Sequence, residues 1–175
     1  MTTLSTLLPL PSAAVVALGL AGVGLLALCL GLVVIGEQES GLVVRRYGRA
    51  LPAGRLIATD DEAGFQARLL PPGWHLGLWR WQFKVTRVPL VEVPPGQLAL
   101  VMARDGAPIP PERVLARQID CDDFQDAARF LERGGEKGRQ IAVLTAGRYR
   151  INPALFDVVT AARAPCFGLS PEQLL

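Results

Sequence analysis

The sequence predicts an α/β (α+β) protein, with an N-terminal transmembrane helix followed by short strands and helices laid out as an internal repeat. Three observations carry that expectation. Ala13 to Ile35, AAVVALGLAGVGLLALCLGLVVI, is a run of 23 residues without a charge or a proline. As a helix rising about 1.5 Å per residue it reaches roughly 35 Å, enough for a hydrocarbon core of about 30 Å. Glu39–Ala58 and Gln97–Ala116 align at a constant offset of 58, with Gly48 on Gly106, Pro52 on Pro110 and Arg55 on Arg113. In the second unit, Asp122 or Asp123 stands ready to cap a helix whose Phe124, Ala127, Ala128 and Leu131 share one face.

In chain order, residues 1–12 form a tail with no basic side chain, unlike the start of a secretory signal peptide. Residues 13–35 are the expected span. Arg45, Arg46, Arg49 and Arg55 follow it, and the positive-inside rule then puts the C-terminal domain in the cytoplasm, with the helix in a bacterial inner membrane as a single pass. Ala13, Ala17 and Ala21 recur every four residues and Gly24 and Gly31 continue near that face, so these five are the expected helix-packing positions.

Residues 36–95 form the first repeat unit and 96–165 the second. LVV at 42–44 and LALVM at 98–102 are short apolar, β-favouring runs closed by Gly and Pro. After a short insertion Asp60-Asp61 is read as preceding a helical piece, as Asp122-Asp123 does, and LLPPGWHL (69–76) matches VLTAGRYRI (143–151). Trp79, Trp81, Phe83 and Val85 alternate with Arg80, Gln82, Lys84 and Thr86, the period of a strand with one apolar face. Such aromatics are either the core of a small domain or amphipathic rings at a lipid surface, and Trp74, Trp79, Trp81 and Phe83 are the candidate membrane-interface residues. Ala154–Arg163 reads as a strand, and Ser170-Pro171-Glu172-Gln173 opens a helix in 166–175.

The chemistry of the chain excludes several functions. Eighteen Lys and Arg against 16 Asp and Glu leave a charge of +2, no footprint for nucleic acid. Cys29, Cys121 and Cys166 are odd in number and widely spaced, which supports neither a disulfide framework nor a zinc site. His75 is the single histidine and is expected to pack in its Pro-Gly-Trp-His turn, where the repeat places Tyr149, and there is no G-x-S-x-G elbow. GGEKGR at 134–139 lacks the spacing of a phosphate loop. No enzyme activity, cofactor or metal is expected.

GEQESGLVVRRYGRALPAG, the L-x-P-G-W-H turn, VEVPPGQLALVMARDG and above all Gly135–Pro153, GEKGRQ…LTAGRYRINP, resemble the SPFH (band 7) family, near its bacterial flotillin-like branch. The resemblance runs from about Gly36 to Val159. It implies curved antiparallel strands with short helices lying on a membrane, the aromatic strand in the membrane-proximal subdomain, and side-by-side homo-oligomers that organise lipids and membrane proteins without catalysis. Flotillin-like proteins continue into a further subdomain and a coiled coil, so a chain ending at Leu175 is expected to be a truncated product or a fragment lacking the coiled coil. The expected function is a membrane-anchored oligomerising scaffold of membrane microdomains. The alternative is a membrane-tethered protein-binding module that regulates a membrane protease or another partner.

Overall fold

The structure is a computed structural model that describes residues 12–29, 31–59 and 61–160. Residues 1–11 of the expected tail, Asp60, and the expected helix start at 166–175 lie outside them. The described elements are α1 (Ser12–Cys29), β1 (Val33–Ile35), β2 (Glu39–Arg45), β3 (Ile57–Ala58), β4 (Gly64–Leu70), β5 (Gly73–His75), β6 (Phe83–Pro89), β7 (Val91–Val93), β8 (Ala99–Ala103), α2 (Ala127–Glu132), β9 (Gly138–Leu144), β10 (Gly147–Tyr149) and β11 (Phe156–Val159). Among the described residues the fold is therefore mostly β, and the expected α/β (α+β) class is corrected accordingly.

The apolar stretch Ala13–Ile35 does not form one helix. Helix α1 ends at Cys29, Gly31 turns the chain at φ 62°, and Val33–Ile35 pairs antiparallel with Gly73–His75. A Cβ at Gly31 would collide with the backbone of Leu78 and Trp79, so the turn requires glycine. The β-branched Val33, Val34 and Ile35 then favour a pleated strand over a further helical turn. The 18 residues of α1 span about 27 Å. Among the described residues no helix is long and apolar enough to cross a membrane. That finding overturns the expected transmembrane helix, and with it the single-pass inner-membrane placement and the cytoplasmic orientation read from its flanks. What α1 does present is an apolar surface: Val15, Val16, Leu18, Leu20, Val23, Leu25 and Leu26 are all exposed.

Behind the helix the same pairing scheme occurs twice. The first unit orders its strands β3-β4-β2-β6, and the second orders β9-β8-β11, with an isolated bridge from Ala116 to Gln140 where the first has β3 on β4. Strand β2 meets β4 at Gly41↔Leu70 and Arg45↔Gly64, and β8 meets β9 at Ala99↔Leu144 and Ala103↔Gly138, each with a bulge at the same place. Small strands recur too, β1 pairing β5 as β7 pairs β10, so the expected unit bounds of 36–95 and 96–165 shift: Val33–Ile35 opens the first unit and Val91–Val93 the second. The side-chain fastenings are duplicated as well. The Gln66 amide donates to the carbonyls of Glu62 and Gly64, and that of Gln140 to Glu136 and Gly138. His75 reaches the Pro71 carbonyl at 2.7 Å, and the Tyr149 hydroxyl donates to that of Thr145 at 3.0 Å.

The offset between equivalent partners is 58 in β2 and β8 but 74 in β4 and β9, so the second unit carries 16 extra residues between them. Those residues hold α2. The helical piece expected after Asp60-Asp61 is absent, because the chain there passes through a bend straight into β4. The second helix also begins later than its sequence pattern suggests. Asp122, Asp123 and Phe124 adopt left-handed φ values of 54°, 48° and 64°, and Asp126 is the cap, its carboxylate accepting from the Arg129 amide at 3.0 Å. The left-handed turn drops Phe124 into the core, where it packs edge-on against Phe156 at 5.3 Å between ring centroids, with Phe130 against Phe156 at 5.0 Å.

Two buried polar side chains of the second unit join it to the first. The Asp105 carboxylate accepts from the Leu56 amide at 2.7 Å and the Ile57 amide at 2.8 Å, while its other oxygen accepts from Gly106 at 2.8 Å. The Asn152 amide donates to the Gln66 and Ala67 carbonyls at 3.0 and 2.8 Å. Ile57 and Ala67, held this way, become part of one core with Val101, Phe130, Leu144, Leu155 and Phe156.

Removing the Asp105 carboxylate strands buried amides, so Asp105→Ala lowers the unfolding free energy by about 3 kcal/mol in chemical denaturation, whereas Asp105→Asn loses less. A pH effect is expected at Glu136. Hydrogen bonds from the Arg113 side chain and the Arg117 amide hold its carboxyl below the ordinary carboxylate range. The unfolded chain therefore takes up the proton first as pH falls, and the stabilisation is complete above about pH 5 and shrinks below it. Thermal unfolding as a function of pH checks this, with Glu136→Gln flattening the acid limb.

Candidate functional site

The candidate interface residues of the first unit do not form the core. Trp74 is 77 % exposed on β5, and Trp79 and Trp81 are 42 % and 62 % exposed. Alternation along a strand is also corrected, because Trp79–Gln82 is a turn and β6 begins only at Phe83, where the Gln82 and Phe83 amides donate to the Trp79 carbonyl at 2.9 and 2.7 Å. The apolar alternation pattern could not separate a strand from a turn that leads into one. Phe83 itself is half-buried.

Around that turn a cluster assembles. Tyr47, beyond the end of β2, is 63 % exposed, and its ring lies 6.2 Å from that of Trp81. The Arg45 guanidinium lies 5.8 Å from the Phe83 ring centroid, donates to the Tyr47 carbonyl at 3.0 Å and pairs with Asp61 at 2.6 Å. The Arg45 hydrogen bond holds the Asp61 carboxyl below the usual carboxylate range. Arg46 continues the cluster, its amide donating to the Gln82 carbonyl at 2.8 Å. Sequence reasoning singled out the tryptophans but missed Tyr47, which the chain carries next to its tandem arginines.

The duplication shows what this surface corresponds to. In the second unit the Arg104 amide donates to the Leu155 carbonyl at 2.8 Å, and the Leu155 and Phe156 amides to the Asn152 carbonyl, the same three bonds made by Arg46, Gln82, Phe83 and Trp79. Tyr47 and Trp79 thus stand where Asp105 and Asn152 stand. Asp105 and Asn152 are buried beneath the first unit, while their counterparts are uncovered. Comparison of the chain with protein-family models, characterised proteins and solved structures yields no match.

The other candidate positions separate. Ala13, Ala17, Ala21 and Gly24 lie exposed on α1, whereas Gly31 is in the turn beyond it. His75 is tied to a carbonyl, and Cys121 is buried, its thiol pushed up by desolvation and so poorly nucleophilic. No group of three or more His, Cys, Asp or Glu suited to a metal occurs among the described residues.

These environments predict contrasting costs. Phe130→Ala removes a fully buried ring and costs about 3–5 kcal/mol, while Trp81→Ala stays within about 0.5 kcal/mol of the native chain. Urea unfolding of the two variants measures the difference.

Proposed function

We propose that this chain is a non-catalytic scaffold module that works by joining copies of itself, in keeping with its resemblance to the SPFH (band 7) family. The observation that carries the reading is the unequal use of one duplicated surface. In the second unit that surface grips residues 56–57 and 66–67 of the first; in the first unit it is the open cluster of Tyr47, Trp79 and Trp81.

The complementary edge is open as well. Residues 56–57 and 66–67 correspond in the second unit to 114–115 and 140–141; Leu115 and Ile141 are 41 % and 54 % exposed where their counterparts Ile57 and Ala67 are 1 % and 2 %, and Val114 is exposed as Leu56 is. A repeat of the internal joint between copies sets the Val114–Ile141 edge of one on the aromatic face of the next. Tyr hydroxyl and Trp indole N–H are suited to it, offering an acceptor and a donor where Asp105 and Asn152 offer theirs. Because the two faces differ, the contact is heterologous and propagates head to tail.

Sedimentation velocity on the full chain tests this. The native chain assembles with rising concentration, and Trp81→Ala and Ile141→Glu each give monomers. Mixed together the two variants form a one-to-one dimer, since each keeps the face the other lacks. A native chain that stays monomeric, or variants that assemble normally, overturns the reading.

A further inference from the structure

The first unit contains a groove of about 480 Å³ lined by Leu32, Val33 and Val34 on one side and Phe83, Lys84, Val85 and Arg87 on the other, with Arg46, Leu78 and Arg80 completing it. Successive residues of a strand point their side chains to opposite faces, so a wall made of consecutive residues is a strand's edge. Both walls are of this kind. Among the described residues strand β6 ends its sheet and β1 pairs only with β5, which leaves one side of each without ladder partners. Arg87 spans the gap, donating to the Val34 carbonyl at 3.2 Å.

The groove holds four cations and no acid. Among the described residues Arg46, Arg80 and Lys84 have no ion-pair partner, and Arg87 meets Glu39 only at 3.9 Å. The fold does not demand this charge, as the duplicate in the second unit shows. There a cavity of about 460 Å³ runs between β7 and β11, and Asp157 stands in place of Lys84, Pro153 of Arg80, Thr160 of Arg87 and Glu92 of Val34. Arg104, the counterpart of Arg46, is paired with Asp157 at 3.4 Å. The second unit thus supplies from its own chain the carboxylate that the first unit lacks.

We propose that the groove between β1 and β6 binds an extended acidic peptide of a partner protein, added as a strand against the open edges with its carboxylates on Arg46, Arg80 and Lys84. A free phosphate satisfies the cations alone, whereas an extended backbone also satisfies the ladder groups left open along the two edges, apart from the Val34 carbonyl that Arg87 holds. Apolar Val33, Leu78 and Val85 suit the alternate side chains of such a strand. This partner differs from the second copy invoked for self-assembly, and Lys84 belongs to the groove alone.

The test is fluorescence anisotropy of the full chain with a labelled eight-residue peptide of alternating Glu and Val, alongside the same peptide N-methylated at alternate amides. The native chain binds the first peptide, and Lys84→Gln weakens binding about tenfold with sedimentation unchanged. Should Lys84→Gln fold poorly by circular dichroism, Lys84→Met, which keeps the alkyl stem and removes the charge, takes its place. N-methylation is expected to weaken binding tenfold or more, and inorganic phosphate to compete only poorly. Equal binding of both peptides, insensitivity to the charge change, or binding of anionic phosphatidylglycerol vesicles without binding of the peptide each overturns the proposal.

Discussion

The burial of the Asp105 carboxylate is the constraint on which the molecule turns. A carboxylate removed from water is tolerable only where donors replace its hydration, and here three backbone amides do so, two of them from the other repeat unit. The donors sit at the start of β3, a strand too short to hold itself in place. Asp105 therefore fixes β3, β3 lies parallel on β4, and β4 carries the carbonyls that Asn152 holds from the far side. Polar pairing thus sets the register, and the apolar side chains of Ile57 and Ala67 close the joint.

Within each unit the geometry is governed by close backbone approach at one turn. Gly48 and Gly106 sit where a Cβ would strike the backbone at Asp61 and Gly135, and that proximity lets Arg49 bridge Glu62 and Ala107 bridge Glu136. The Glu62 carboxylate then accepts from the Thr59 amide just after β3, and the Glu136 carboxylate from the Arg117 amide just after the Ala116 bridge. Duplicated interiors with different exteriors are the pattern throughout.

Much of this was legible from residue spacing. The offset of 58 located β2 and β8, and the match of 69–76 with 143–151 located β5 and β10. What misled was hydrophobicity taken without backbone geometry. Val33–Ile35 is as apolar as the helix before it, yet Gly31 and β-branching direct it into a sheet. The tryptophans read as a strand because a turn followed by a strand mimics period two. The tie between units was invisible, because one aspartate and one asparagine announce nothing until the fold brings Leu56 and Ala67 beside them. The clustering of Arg46, Arg80 and Lys84 about one groove was hidden in the same way, being scattered over 39 positions of the chain.

The 16-residue insertion that holds α2 divides labour between the two units. Phe124, Phe130 and Cys121 come from it or its flanks, and among the described residues only Ile57 of the largest fully buried side chains belongs to the first unit. The second unit accordingly supplies most of the shared core, to which the first adds Ile57 and Ala67. A copy relieved of building its own core is free to vary its surface. One unit can thus carry exposed aromatic rings and unpaired charge because its twin supplies most of the core that both share.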